Sequence, residues 1–187
     1  MKGSVHYETR GQIALLSIDN PPVNPLSSGV RQGLADGVTK ALADDDIKAV
    51  VITGMHRAFI AGADISEFDT HRSTPDGRAN FEQAWSAANQ AFASLQKPLI
   101  AMIRGFCIGG GLATALQADL RISADDGQFG IPAARLGLGY QFAGIKKLVH
   151  IVGPTMAAEV MLTARKFNAT EAVDMGLIHR VVPVDDL

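Results

Sequence analysis

Three consecutive glycines, Gly109–Gly111, stand in the stretch GFCIGGGLATAL (residues 105–116), between an apolar run and a helix-forming run. The stretch holds no acid or base, and its one thiol, Cys107, has apolar neighbours that favour a buried, unreactive cysteine. Any chemistry here must therefore come from the backbone. Glycine lets a ligand oxygen approach a main-chain N–H closely, and a helix N-terminus adds partial positive charge. The stretch predicts either a site for a negatively charged oxygen or, more simply, a tight turn that allows close helix–strand packing.

A second turn of small residues occurs earlier, in RAFIAGADISEF (residues 57–68). Gly62 lies between small side chains, and Asp64 and Glu67 suit the start of a helix, where carboxylates complement the dipole. N–H groups from the two turns could converge on one oxygen and form an oxyanion hole. A P-loop is excluded because no Lys-Ser/Thr pair follows the glycines, and the GxGxxG dinucleotide fingerprint is absent.

Short apolar runs rich in β-branched residues alternate with helical patterns along the chain. Five runs predict strands: IALLSID (13–19), AVVITG (49–54), LIAMIRG (99–105), LRISA (120–124) and IHRVVPV (178–184). Most of them are apolar at successive positions, which predicts burial on both faces. Three segments predict helices: 28–45, where Val30, Leu34, Val38 and Leu42 share one face, and 79–96 and 155–164. The polar stretch 66–80 predicts a loop. This alternation indicates an α/β fold.

The composition indicates a single folded domain over residues 1–187, since 47% of the residues are hydrophobic and 19% are charged. A net charge of −2 excludes the broad basic surface of a nucleic-acid binder but leaves room for a local phosphate pocket. The single cysteine rules out an internal disulfide. The start MKGSVHYETRGQ has no signal-peptide core, and no run approaches the roughly 18 apolar residues of a membrane helix. We therefore expect a cytoplasmic protein with neither a nucleic-acid nor a membrane partner.

Four segments carry a family resemblance, and they occur in the family's order. They are NPPVNPLS (20–27), AFIAGADISEF (58–68), the block from Lys97 to Leu138, and LTARKFNATEAVDMGLIHRVVP (162–183). Together they resemble the crotonase superfamily, that is, the enoyl-CoA hydratase/isomerase family, over nearly the whole chain. The resemblance implies a spiral of ββα turns, homotrimers or hexamers, a coenzyme A thioester as substrate and no separately bound cofactor. Family members normally continue into C-terminal helices, so we expect that a C-terminal helical region is missing here.

The resemblance also assigns roles to residues of the two small-residue turns. The N–H groups of Ala63 and Gly110 would bind the thioester oxygen and stabilise an enolate, with Gly109 beside them. Main-chain atoms of Ala61, Asp64 and Ile65 would line the path of the coenzyme A. Arg57 has two open interpretations, a contact to a CoA phosphate or a solvated loop charge.

Two alanines depart from the pattern of the family's hydratases, which carry two glutamates at these places. Ala113 lies one helical turn after Gly110, on the same face, and Ala133 follows the proline of the QFGIP segment. An alanine methyl cannot accept or deliver a proton, and water addition needs positioned acid–base groups. We therefore expect Ala113 and Ala133 to contact the substrate without exchanging protons with it, and we do not expect ordinary two-glutamate hydration.

The segment LGLGYQFAGIKKL (136–148) resembles the corresponding loop of the methylmalonyl-CoA decarboxylase branch, which also has a tyrosine at the place of Tyr140. Loss of CO₂ forms the enolate directly, so no base is needed. That branch keeps an acid at the place of Ala113, so the match is partial. Tyr140 could orient the substrate or donate a proton, or it could be a buried tyrosine with a structural hydrogen bond. Gln141 could hold a water or a carboxylate.

Further candidates lie outside these motifs. Glu67, Asp69 and His71 could border the acyl group or could be solvated loop residues. Four other histidines are scattered without metal-ligand spacing, so we expect no metal site: His6, His56, His150 and His179. Three functions stay open: an acyl-CoA enzyme that works through an enolate, a non-catalytic acyl-CoA-binding protein, and a structural or assembly role.

Overall fold

The computed structural model describes residues 2–67 and 86–187. Most of the predicted loop 66–80, including Asp69 and His71, therefore lies outside the described residues. The strands form two sheets. The larger contains, in spatial order, β1 (Ser4–Arg10), β2 (Ile13–Asp19), β3 (Ala49–Gly54), β5 (Leu99–Ile103), β7 (Leu120–Ala124) and β10 (Arg180–Val182). The smaller contains β4 (Ala58–Ile60), β6 (Phe106–Ile108), β8 (Gln128–Gly130) and β9 (Phe167–Asn168).

The helices pack around these sheets. They are α1 (Ser28–Ala43), α2 (86–94), α3 (Gly110–Ala115), α4 (Phe142–Thr163) and α5 (Ala169–Asp174), and short 3₁₀ turns cover Ile65–Glu67, Pro132–Leu136 and Val184–Asp186. The side chain of Ser27 accepts a hydrogen bond from Val30 N–H and caps α1. Helix α4 is broken at Gly153, whose φ is +76°, just before Pro154. No helix in the described ranges is long and apolar enough to cross a membrane.

A strand of the large sheet turns sharply into a strand of the small sheet three times along the chain. The pairs are β3–β4, β5–β6 and β7–β8, and each pair leads into a helix or a 3₁₀ turn. Glycines form two of these corners. A Cβ at Gly54 would lie 2.1 Å from Ala58 O, and one at Gly105 would lie 2.1 Å from Arg57 O. The result is the spiral of ββα units that the resemblance implied.

Pairing directions explain which sheet positions the site. In the large sheet β1 and β2 are antiparallel and the other neighbours are parallel. In the small sheet β4, β6 and β8 are all parallel, and β9 closes the edge antiparallel to β8. The carboxyl ends of β4, β6 and β8 therefore meet at one edge, which is where ligands bind in open α/β sheets.

The α/β prediction is confirmed, with differences in detail. Three predicted strands have the expected bounds, whereas 99–105 ends at Ile103 and 178–184 shortens to Arg180–Val182. The small-sheet strands were not predicted because two or three residues are too short to show a period. Burial on both faces was also wrong for β5, where Leu99, Ala101 and Ile103 are buried and the residues between them are half-buried.

Candidate functional site

The carboxyl edge of the small sheet brings three chain segments together. Residues 61–64 follow β4, 109–113 follow β6, and 131–133 follow β8. The register places Ile108 opposite Gly130, and the N–H of Gly109 then donates to Gly130 O at 2.8 Å. Parallel pairing thus joins turns that are far apart in sequence.

The three consecutive glycines have different surroundings. Gly109 has φ +55° and is the N-cap of α3, where its carbonyl accepts the N–H of Ala113 at 3.0 Å. Gly111 lies against β4, and a Cβ there would be only 2.2 Å from Ile60 O. A Cβ at Gly110 would lie 3.9 Å from the nitrogen of Ala63. A Cβ at Gly109 would lie 4.0 Å from Gly62 Cα, so both glycines approach the other turn, and Gly110 is the one that lies near the Ala63 nitrogen.

The main-chain N–H groups of Ala63 and Gly110 both lie at this edge of the small sheet. Within the described parts of the chain, no hydrogen bond has either N–H as its donor. Gly110 is the first residue of α3, where an N–H has no partner inside the helix. Neither donor is therefore engaged within the described residues, and the partial positive charge at the start of a helix favours a negatively charged acceptor. The structure brings together the two residues that the sequence resemblance had paired.

The turn that carries Ala63 is held in place by Leu26. The Leu26 N–H donates to Gly62 O at 2.7 Å, and Leu26 O accepts the N–H of Asp64 at 3.4 Å. A Cβ at Gly110 would lie 3.1 Å from Cδ2 of the same leucine. Leu26 therefore contacts both turns and sets the space between them.

Asn24 has a supporting role that the sequence analysis missed. It is fully buried with φ +53°, and its Nδ2 donates to Met55 O at 2.6 Å and to Ala58 O at 2.7 Å. Its Oδ1 accepts the N–H of Asn20 at 2.9 Å. These bonds tie the segment before Leu26 to the start of β4. The motif NPPVNPLS was the available signal, but a buried hydrogen-bonding network cannot be deduced from it alone.

Tyr140 lies next to the glycine turn. Its hydroxyl oxygen is 3.9 Å from the position that a Cβ at Gly109 would occupy. The residue is half-buried, and burial raises the pKa of its phenol to about 12. The side chain therefore stays protonated near neutral pH and can donate a hydrogen bond. Gln141 follows as the exposed N-cap of α4, and its side chain makes no capping hydrogen bond.

The two alanines differ in accessibility. Ala113 is half-buried, on the same helix as Gly110, and Ala133 is buried with 4% of its surface exposed. The Ala133 carbonyl accepts the N–H of Leu138 at 3.0 Å. Neither side chain can exchange a proton, so proton transfer at this edge must involve other groups.

The residues expected along the coenzyme A path are partly engaged within the protein. Ala61 N–H donates to Val23 O at 3.1 Å, and the buried Asp64 accepts hydrogen bonds from Ser66 N–H and Oγ at 2.9 and 2.7 Å. Ile65 is 73% exposed and Arg57 is exposed. The exposed pair are therefore the members of this set that a large ligand can reach most easily.

Glu67 does not act as a free loop carboxylate of the kind considered from the sequence. Its two oxygens accept the N–H of Ser28 at 3.1 and 2.9 Å, and Oε1 also accepts the Ser28 hydroxyl at 2.9 Å. A carboxylate at this place satisfies N–H groups of the first turn of α1 and complements its dipole. Glu67 thus links the segment after Ala63 to the helix that begins just after Leu26.

We expect Glu67→Gln to weaken this link. The amide retains only one acceptor oxygen, so at least one of the three bonds to Ser28 is lost. The free energy of unfolding should fall by about 1–2 kcal/mol, measured by urea denaturation. Glu8→Gln, which alters an exposed carboxylate paired with Arg10, is the matched control and should leave it unchanged. Equal stabilities of the two variants would show that Glu67 does not clamp the turn.

Two other residues have structural roles. Asp119 accepts the N–H of Leu99 at 2.8 Å, which joins the end of the α3 segment to the start of β5. Cys107 is fully buried, and burial raises the pKa of its thiol well above the ordinary range. Among residues 2–67 and 86–187, no cluster of three His, Cys, Asp or Glu side chains has a geometry that could hold a metal ion.

The ββα spiral, with three chain segments meeting at the carboxyl edge of its small sheet, defines a class of α/β protein. Residues 8–187 match the enoyl-CoA hydratase/isomerase family, and the chain belongs to that family. The matched residues include both small-residue turns.

Individual relatives support this membership. The chain is 33% identical over 186 residues to the short-chain-enoyl-CoA hydratase of Clostridium acetobutylicum, covering 98% of this chain and 70% of that protein. It is 36% identical over 176 residues to a glyoxysomal fatty acid beta-oxidation multifunctional protein of Cucumis sativus, covering 94% of this chain but 24% of the relative. The chain therefore spans only part of the length of these relatives.

Solved structures show the same fold. An enoyl-CoA hydratase/carnitine racemase from Magnetospirillum magneticum superposes with a TM-score of 0.92 at 32% identity, covering 97% of this chain and 68% of that one. An enoyl-CoA hydratase from Thermoplasma volcanium gives a TM-score of 0.87 at 32% identity, covering 97% and 73%. These likenesses confirm the crotonase-like fold predicted from the sequence.

Proposed function

We propose that the chain binds an acyl-CoA thioester with its carbonyl oxygen between the N–H groups of Ala63 and Gly110. One observation carries this proposal. Gly110, the first residue of α3, lies near Ala63, and among the described residues neither main-chain N–H donates a hydrogen bond. Two such donors stabilise an oxygen that becomes negative as a thioester enolate forms, and one donor of this kind is worth roughly 10²–10³ in rate. Coenzyme A enters as part of the substrate, and the proposal requires no metal or other cofactor.

The residues at this site restrict the type of reaction that the protein can catalyse. With alanine at 113 and 133, the acid and base of the two-glutamate hydratases are absent, so ordinary hydration is not expected. An isomerase or lyase reaction on the acyl group remains, with the enolate as its common intermediate. Tyr140, whose hydroxyl lies beside Gly109, would supply a proton to the enolate carbon or orient the acyl group.

Two alternatives have specific support. Decarboxylation would break the bond between the α carbon and a carboxylate, leave the electron pair in the thioester enolate, and need only a proton afterwards. The protonated Tyr140 beside Gly109 favours this reaction. A non-catalytic acyl-CoA-binding role is favoured by Ala113 and Ala133, which leave the oxyanion site intact without a base.

A panel of acyl-CoA thioesters separates these possibilities. Turnover of each is followed by mass spectrometry, with crotonyl-CoA and methylmalonyl-CoA included, and binding is measured in parallel. Conversion of any member supports the enzyme, and the product identifies the reaction. Binding without conversion of any member would leave the non-catalytic role, and efficient hydration of crotonyl-CoA would overturn the limit set by the alanines.

We expect Tyr140→Phe to lower kcat with little change in acyl-CoA affinity. The substitution keeps the ring and removes only the hydroxyl, and a positioned proton donor contributes on the order of 10²–10⁴ in rate. Because burial raises the pKa of Tyr140 to about 12, the wild-type rate should not fall between about pH 7 and about pH 10 through loss of this proton. An unchanged kcat in the folded variant would make Tyr140 a packing residue.

We also propose that the protein assembles as a homotrimer or hexamer, as the family resemblance implies, and that it acts in the cytoplasm. Sedimentation equilibrium on the purified chain tests the assembly. A monomer at all concentrations would contradict it for this chain.

A further inference from the structure

Helix α3 exposes only one line of residues beyond the oxyanion site. Gly110, Ala113 and Gln117 are half-buried, whereas Gly111, Leu112 and residues 114–116 are buried. The spacing of three and four residues places the exposed positions along one side of the helical path. Of α3 and the turn after it, Ala113 and Gln117 are therefore the residues beyond the glycine turn whose surface a ligand held at Gly110 can contact.

A lysine from another helix meets this line at its far end. Lys147, on α4, donates from Nζ to Oε1 of Gln117 at 3.0 Å. The Gln117 amide nitrogen lies 3.5 Å from Ala113 O, so the side chain folds back toward the glycine turn. The amide and the ammonium thus lie beyond Ala113 on the side away from Gly110.

The ammonium of Lys147 is half-buried and so partly removed from water. Burial lowers its pKa, the nearby Arg121 lowers it further, and Asp119 opposes both effects. The Asp119 carboxylate is already bonded to Leu99 N–H. Among the described residues, Lys147 forms no ion pair, and its hydrogen-bond partner is the neutral Gln117. A half-buried cation in this state gains more from an incoming carboxylate than a solvated one does.

We propose that Lys147 and Gln117 bind a carboxylate at the far end of the acyl group and so select dicarboxylic acyl-CoA substrates. The inference rests on the proposed function, because it needs the thioester to be anchored at Ala63 and Gly110. Gln117 lies seven positions after Gly110 and two beyond the end of α3, which corresponds to about 10 Å at the rise of a helix. The lysine side chain and the folded-back glutamine shorten the distance that a short acyl chain must cover.

Affinities for acyl-CoA pairs of equal carbon number test the proposal. Succinyl-, glutaryl- and adipyl-CoA are compared with butyryl-, pentanoyl- and hexanoyl-CoA by titration calorimetry. At least one dicarboxylic member should bind about tenfold more tightly than its monocarboxylic match, since a charge-assisted pair contributes at this scale. Lys147→Met should abolish the preference and leave monocarboxylic binding within about twofold, and Lys147→Arg should restore most of it.

Lys146→Met is the matched control, because Lys146 is the exposed neighbour on the same helix and should leave all affinities unchanged. If the wild-type protein does not prefer the dicarboxylic member of any pair, the inference is overturned, even if Lys147→Met does not fold. An equal loss for both members of a pair in Lys147→Met also overturns it. Normal binding of monocarboxylic acyl-CoAs in these cases leaves the proposed function intact, whereas failure to bind any acyl-CoA rejects both.

Discussion

Gly110→Pro is expected to abolish turnover and the binding of enolate-mimicking CoA derivatives while leaving the protein folded. Proline has no N–H, so the substitution removes one of the two donors of the site. Gly110 is the first residue of α3, a position where proline is well tolerated because the N–H has no helical partner. Loss of one such donor costs on the order of 10²–10³ in kcat, and the restricted geometry of the ring adds to that loss.

Gly110→Ala is the control for this experiment. It keeps the N–H and adds a methyl group that would lie 3.1 Å from Cδ2 of Leu26, the end of a flexible side chain. We expect its affinity for the enolate mimic to stay much closer to that of the wild type than that of the proline variant does. Thermal unfolding of all three proteins verifies the fold. Wild-type kinetics in a folded Gly110→Pro protein would refute the oxyanion role of this residue.

Gly111→Ala is expected to destabilise the protein strongly, although it lies beside Gly110 and changes only one methyl group. A Cβ at this place would lie 2.2 Å from Ile60 O and 2.8 Å from Ile60 Cβ, both shorter than any tolerable contact. Helix α3 or strand β4 must therefore move. Overpacking of this kind costs roughly 1–3 kcal/mol and occasionally more, and backbone contacts make the upper end the expectation.

Gly139→Ala tests whether the cost comes from packing rather than from the loss of a glycine. A Cβ at Gly139 would meet nothing within 4 Å, and its φ does not lie in the left-handed region. Urea denaturation should show nearly wild-type stability for this variant and a lowered midpoint for Gly111→Ala. Equal midpoints would mean that the approach of α3 to β4 is looser than the structure describes.

The three glycines illustrate how far local sequence information extends. Their clustering before a helix predicted a close backbone approach and a possible anion site, because glycine is favoured where a Cβ cannot fit. The sequence pattern could not show which glycine has which role. Those roles depend on Ile60 and Ala63, which lie in a strand and a turn about fifty residues earlier in the chain. Only the parallel pairing of β4 with β6 brings these residues near the glycines.

Glu67 and Lys147 show the same limit for charged residues. A carboxylate in a polar segment is compatible with catalysis, solvation or helix capping, and the choice depends on Ser28, whose helix packs beside it. The sequence analysis did not single out Lys147, because it compared residues 136–148 with a loop, where a lysine is ordinarily solvated. The structure instead places Lys147 in α4, half-buried and bonded to Gln117.

The sequence by itself determined the α/β class, the main strands and helices, the family and the two turns that carry Ala63 and Gly110. Those features follow from local periodicity and from motifs that are contiguous in the chain. Only the tertiary structure decided that Gly110 lies near Ala63, that Glu67 binds the first N–H of α1 and that Tyr140 lies beside Gly109. Such contacts join residues from different ββα units, so their geometry is set by strand pairing and helix packing rather than by neighbours in the sequence.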